Sequence, residues 1–183
     1  MPDLYRVFPY RAAPRPDEPG GSLYVPPQGA GRIDNPGAYR ILFLSDSAAG
    51  AIAEAFGRFT EWTRAILEGS PGLPGCLRAM AQYRLAEGAP ICNLDHPRQL
   101  MALRLPPSDI VSRDYHRTRA WAMRLFEQGR WAGVRWWSYY DPRWSSFGLW
   151  DTVRLVPADV TPLALDHPPL AEAARTVVRR LVW

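Results

Sequence analysis

Lysine is absent from this chain of 183 residues: all 22 basic side chains are arginine, against 18 acidic ones, for a formal charge of +4. The planar guanidinium suits bidentate contact with phosphates and carboxylates. The charges are scattered and no run of about five or six like charges occurs, which leaves two readings open: a nucleic-acid platform, or a basic surface that meets an acidic partner. Cysteine is nearly absent. Cys76 and Cys92 form no CxxC pair, and a reducing compartment keeps both as thiols. The three histidines, His96, His116 and His167, lie far apart in sequence. Cys92, Asp95 and His96 amount at most to half a metal site, with no second half in sight, so no metal is expected. Nowhere does the chain approach the roughly 18 uninterrupted apolar residues of a membrane span. The opening MPDLYRVFPYR lacks the apolar centre of a signal peptide. The expectation is a cytoplasmic protein without a membrane partner. Also missing are the P-loop, the dinucleotide-binding GxGxxG, GxSxG and HExxH.

What is present is enough hydrophobic residue, 47%, to exclude a disordered chain and to bury one core without disulfides or metals. Nineteen prolines and fourteen glycines predict many turns. Residues 5–8 read as a strand and 9–31 as an extended Pro- and Gly-rich loop, long enough to carry function. Residues 40–44 read as a short buried strand, followed by Ser45-Asp46-Ser47, all helix-capping types. Helical spacing of Ile52, Phe56, Phe59 and Ile66 predicts a long helix over 47–67. Strands are expected at 77–85, 91–94, 133–140, 147–150, 153–156 and 160–165, and helices at 98–103, 114–128 (capped by Ser112, closed by Gly129) and 170–181. Strands and helices mix without regular βαβ alternation, which points to a single α+β domain over 1–183.

On the predicted 47–67 helix Glu54 falls opposite the apolar stripe, with Glu61 and Glu68. Periodicity makes it a solvated carboxylate paired with Arg58 at i+4. Its small neighbours Gly50, Ala53 and Gly57 equally leave room for a ligand or a closely approaching strand. Ser138 ends an aromatic strand beside Trp136, Trp137, Tyr139 and Tyr140. Those rings fit core packing, or a pocket wall that stacks a flat ring. No histidine is near, which argues against a Ser-His nucleophile.

In sequence order, Tyr5-Arg6-Val7, GRIDNPGAYRILFLS, AIAEAF and DYHRTRAWAMRLFEQGRWAGVRWWS resemble the segments of the RES domain family, named for an arginine, a glutamate and a serine. Here those fall on Arg32, Glu54 and Ser138. The resemblance implies an ADP-ribosyltransferase-like mixed β core with flanking helices. It also implies a toxin of a bacterial type II toxin–antitoxin pair that consumes NAD+ as substrate, by hydrolysis, phosphorolysis or ADP-ribose transfer, with no further cofactor. The implied partner is an Xre-type helix-turn-helix antitoxin that covers the active site. Direct nucleic-acid binding by this chain is not expected, and homodimers are frequent in the family. Glu54 would stabilise an oxocarbenium-like ribose, Arg32 would grip the diphosphate or orient Glu54, and Ser138 would donate a hydrogen bond at the ribose or amide. Phe43 and Trp137 would line the nicotinamide slot, and Arg6 would be a second phosphate contact. One departure stands out: Phe43 occupies a position where the family often carries a tyrosine.

Overall fold

The computed structural model describes residues 2–183. Its strands, in chain order, are β1 (Asp3–Tyr10), β2 (Leu42–Ser45), β3 (Glu61–Trp62), β4 (Leu77–Leu85), β5 (Ile91–Asn93), β6 (Gly133–Trp137), β7 (Ser145–Leu149), β8 (Leu155–Pro162) and β9 (Arg180–Leu181). β3 and β9 pair in parallel. The other seven form one sheet in the order β5-β6-β7-β2-β1-β4-β8, antiparallel except for the β5–β6 pair. The helices are α1 (Ala48–Phe56), α2 (Pro97–Leu103), α3 (Pro107–Ile110), α4 (Tyr115–Glu127) and α5 (Pro168–Thr176). This is the expected α+β architecture.

β1 runs against β4 over its whole length, Asp3 opposite Arg84 through Tyr10 opposite Leu77. Alternation along β4 sends Ala79, Ala81, Tyr83 and Leu85 inward, as the pleat requires. β2 instead pairs fully with β7. Between β1 and β2 a single residue pair, Tyr5 with Ser45, holds the sheet together. The sheet therefore parts there into two halves, and the parting creates the cavity described below. The exposed edge strand β8 carries Pro157 and Pro162, which blunt it against further pairing.

The predicted helix over 47–67 stops at Phe56. Ser47 caps its start, accepting from the Gly50 amide at 3.2 Å. Gly57 ends it, and a Cβ there would stand 2.4 Å from the Tyr140 ring. Beyond it Trp62 is fully buried and donates from its indole to the Phe56 carbonyl at 3.1 Å, and Glu61–Trp62 pair with the C-terminus. A tertiary pairing more than 100 residues away thus overrides local periodicity. The predicted helix 170–181 ends at Thr176 for the same reason, its tail becoming β9. The predicted strands at 153–156 and 160–165 are one strand, β8. α3 was not expected. The cap of α4 is Asp114, whose carboxylate accepts from the His116 and Arg117 amides; Ser112 lies two residues before it and accepts from the Asp114 amide.

The apolar face of α1 (Ala49, Ile52, Ala53, Phe56) packs with Leu170, Ala173 and Ala174 of α5. This leaves the opposite face of α1, with Ala51, Glu54 and Ala55, turned to the cavity.

Candidate active site

A cavity of about 440 Å³ opens where β1 and β2 diverge. Glu54 of α1 lies at its floor. One carboxylate oxygen, Oε1, accepts from the hydroxyl of Ser138 at 2.8 Å and from that of Ser146 at 3.3 Å. Among the described residues no donor reaches Oε2. Glu54 presents surface to the open cleft, yet protein atoms crowd its carboxyl from the sides; a concave floor allows both. Burial pushes the carboxyl above its ordinary pKa, and the Ser138 bond, the Ser146 bond and the charge of Arg32 partly offset the rise. The i+4 pairing with Arg58 does not form, because α1 ends before Arg58 and that guanidinium lies over the Phe59 ring instead, 4.7 Å from its centroid.

Arg32 lines the cavity. No direct ion pair joins it to Glu54 among the described residues, although its charge is felt there, which leaves space for a ligand between them. The turn that presents it is fixed from two sides. From within, the buried Asp34 carboxylate accepts from the amides of Gly29 at 2.9 Å and Gly31 at 2.7 Å. Gly31 is needed for this approach, since a Cβ would stand 2.5 Å from Asp34 Oδ1. From without, α4 clamps the turn: the Thr118 hydroxyl donates to the Arg32 carbonyl, and Arg119 donates to the carbonyls of Gly29 and Gly31. The Tyr39 hydroxyl donates to the Ile33 carbonyl at 2.6 Å and accepts from Asn35. The cation is thus held on a rigid loop rather than a flexible one.

The other residues singled out in the sequence take distinct places. Ser138 is buried beneath Glu54, accepts from the Tyr140 amide at 3.2 Å, and touches the carboxylate rather than the cavity. Arg6 reaches the cavity wall. Two of its donors go to the carbonyls of Ser22 at 2.7 Å and Tyr24 at 2.8 Å, no carboxylate pairs with it among the described residues, and burial depresses its pKa. Phe43 lines the cavity and meets Trp136 edge-on at 6.5 Å. Trp137 is a correction. β6 pairs Trp136 with Ser146 and Trp137 with Ser145, so the pleat turns Trp136 into the cavity and Trp137 to the opposite face, beside Arg135. A count shifted by one residue reverses the face.

Sequence reasoning missed Ser146, Tyr115 and, as a lining residue, Trp136. The usable signal for Ser146 was the small-residue alternation in Ser145-Ser146-Phe147-Gly148, which puts Ser146 and Gly148 on one face. Metal ligation has no support in the geometry. Cys92 is buried, its thiol pushed up to about 11 by burial, Asp95 pairs with Arg135 at 3.0 Å, and the His96 ring accepts from the Arg98 amide. Among the described residues no group of three or more His, Cys, Asp or Glu gathers, and no helix is long and apolar enough to cross a membrane.

The family model of the RES domain matches residues 3–171. A solved structure, the crystal structure of the M. tuberculosis MbcT–MbcA toxin–antitoxin complex, contains a chain of similar fold. It has a TM-score of 0.60 at 16% identity, over 96% of this chain and 88% of that one. No curated protein matches in sequence. With its glycine turn, α1 and β6 in the order described and the family model spanning almost its entire length, the chain belongs to the RES domain family.

Proposed function

We propose that this RES domain protein is an NAD+-consuming toxin of a bacterial type II toxin–antitoxin pair, which cleaves the nicotinamide–ribose bond of NAD+. The observation that carries the reading is Glu54: one oxygen immobilised by two serine hydroxyls, the other free, on the floor of a cavity whose wall holds Arg32. In the scheme, the bond between ribose C1′ and the pyridinium nitrogen breaks with its electron pair going to nitrogen, so that neutral nicotinamide leaves. Positive charge grows on the ribose, and a carboxylate beside it stabilises that state. An acceptor oxygen then bonds to C1′ and gives up its proton. Water (glycohydrolase), phosphate (phosphorylase) and a protein side chain (ADP-ribosyltransferase) all satisfy this balance. Arg32 and Arg6, both lining the cavity, supply positive charge for the diphosphate. Phe43 and Trp136 offer flat apolar surface to the nicotinamide. Neither a metal nor a further cofactor enters the scheme. The architecture shared with a chain from a toxin–antitoxin complex supports an antitoxin as partner; that the antitoxin is of the Xre helix-turn-helix type, and that the protein acts in the cytoplasm, belong to the same proposal and rest on the resemblance to the RES family.

Purified protein incubated with NAD+ is expected to release nicotinamide, and Glu54→Ala to abolish the release; a variant that consumes NAD+ at the wild-type rate rules the assignment out. A second reading rests on Phe43, which lacks the hydroxyl of the family's tyrosine: a RES-like protein that binds nucleotide or partner without turnover. Tight ADP-ribose binding with no nicotinamide release from the wild type would select it.

A further inference from the structure

Two tyrosines stand at the mouth of the same cavity on different elements: Tyr115, the first residue of α4, and Tyr139, in the loop that follows β6. Both are exposed, 42% and 54%, where most large apolar side chains of the chain are covered. Neither ring packs on the other among the described residues, and both line the cleft. Each has its own arginine. The Arg113 guanidinium donates to the Tyr139 hydroxyl at 2.8 Å and lies 5.5 Å from that ring's centroid. The Arg119 guanidinium lies 5.6 Å from the centroid of Tyr115. Arg113 is two residues before Tyr115, so its bond to Tyr139 brings the start of α4 and the post-β6 loop together at the cavity mouth. Arg119 also holds the Gly31 carbonyl, which places Tyr115 beside the turn that carries Arg32.

We propose that Tyr115 and Tyr139 form the subsite for the adenine ring of the dinucleotide. The inference rests on the NAD+ reading above and extends it. The substrate carries two flat rings joined through a diphosphate. With the nicotinamide ribose at Glu54 and the diphosphate at Arg32, the adenine falls at the mouth, where the two exposed rings wait. Tyr139 also meets Tyr140 edge-on at 5.5 Å, and rings held in this way by neighbours while roughly half their surface stays open are suited to stacking, since every base has a π-face to offer.

The test is titration of ADP-ribose and, separately, of nicotinamide mononucleotide, which lacks the adenosine half, into wild type and the Tyr115→Ala/Tyr139→Ala double variant. Both side chains are exposed, and circular dichroism melting checks that the variant folds as wild type. Stacking on a base is worth about five- to a hundredfold in affinity. The double variant is expected to bind ADP-ribose at least about tenfold more weakly and nicotinamide mononucleotide within about twofold of wild type, and Tyr139→Phe, which keeps the ring, to bind both as wild type. Unchanged ADP-ribose affinity overturns the assignment, as does an equal loss for both ligands, which would put the rings at the nicotinamide end. Nicotinamide release from NAD+, measured in parallel, separates the two levels. Release by the wild type with ADP-ribose affinity unmoved in the variant sinks the adenine subsite alone. A wild type that releases no nicotinamide and binds neither ligand sinks the reading beneath it as well.

Discussion

Ser138→Ala separates a serine that touches the substrate from one that holds the carboxylate. The geometry makes it the latter: Ser138 is 3% exposed, and its hydroxyl donates to Glu54 Oε1 at 2.8 Å. A hydrogen bond to a charged group is worth about 1.5–3 kcal/mol. Because Glu54 opens onto the cleft, water replaces part of what is lost, and the lower end, about 1.5 kcal/mol, is the better figure. That is about tenfold in rate. The pH profile carries the sharper signal. Burial already holds the Glu54 carboxyl above its ordinary pKa, and the Ser138 bond is the largest effect opposing the rise. Without it the pKa moves further up. Chemistry at the ribose needs the ionised form, so activity is lost as pH falls through that pKa, and the acidic limb of kcat for nicotinamide release shifts to higher pH. The Tyr140 amide also loses its acceptor, at 3.2 Å, which costs about 1 kcal/mol and lowers Tm by about 2–4 °C. A variant whose rate drops while its acidic limb stays where the wild type has it refutes the reasoning, because the hydroxyl would then be acting on the substrate.

Glu54→Gln is expected to cut nicotinamide release by at least about a hundredfold and yet to melt at a higher temperature than wild type at pH 8. A raised carboxyl pKa in the folded state means that the ionised form costs stability above that pKa, and the cost disappears as pH falls until Glu54 is protonated both folded and unfolded; a melting difference that does not shrink on acidification contradicts this. Asp34→Ala strips two amides of the Arg32 turn of their acceptor, for about 2 kcal/mol of stability and about 4–8 °C of Tm, and raises KM for NAD+; unchanged Tm and KM would show that the turn holds itself. Val178 is 84% exposed and sits at φ 54°, just past α5, a conformation that a β-branched residue adopts at a cost of about 1–2 kcal/mol. Val178→Gly gives part of that back to unfolded-chain entropy and is expected to raise Tm by about 2 °C in a thermal melt; a fall would mean that the valine makes contacts which outweigh its strain.

The readability of this chain followed the range of the interactions. β4 was located to the residue, and β1, β2, β5 and α4 to within a few, because alternation, capping residues and Gly/Pro punctuation are local. The divergence of β1 from β2 was not readable, since it rests on one pairing, Tyr5 with Ser45, across 40 residues of chain. The face of each aromatic on β6 was lost for a related reason. Nothing local states which of Trp136 and Trp137 opposes Ser146, and partner register alone decides it. Arg32, Glu54 and Ser138 were singled out by the resemblance to the RES family rather than by pattern, and what local signals located were the elements that carry them: the turn at Asp34-Asn35-Pro36-Gly37, the Ser47 cap, and the aromatic strand β6.

The reading of Glu54 turned on the length of one helix. Ala51, Glu54 and Ala55 share a face at i, i+3 and i+4, and the same pattern describes a solvated stripe or a cavity wall. Had α1 continued through 67, Arg58 would have stood one turn beyond Glu54 and neutralised it, and the carboxylate would have been an ordinary surface ion pair. The pairing of Glu61–Trp62 with the C-terminal strand prevents that. The helix ends at Gly57, whose missing Cβ leaves room for the Tyr140 ring, Arg58 lies over Phe59 instead, and Arg179 donates to the Gly57 carbonyl at 2.8 Å. The carboxylate is then without a charged partner within ion-pair distance among the described residues, and the two serine hydroxyls that reach it leave its second oxygen free. Glu54 is therefore available for chemistry because a pairing with the distant C-terminal strand stops its helix one turn later, at a glycine that leaves room for the Tyr140 ring.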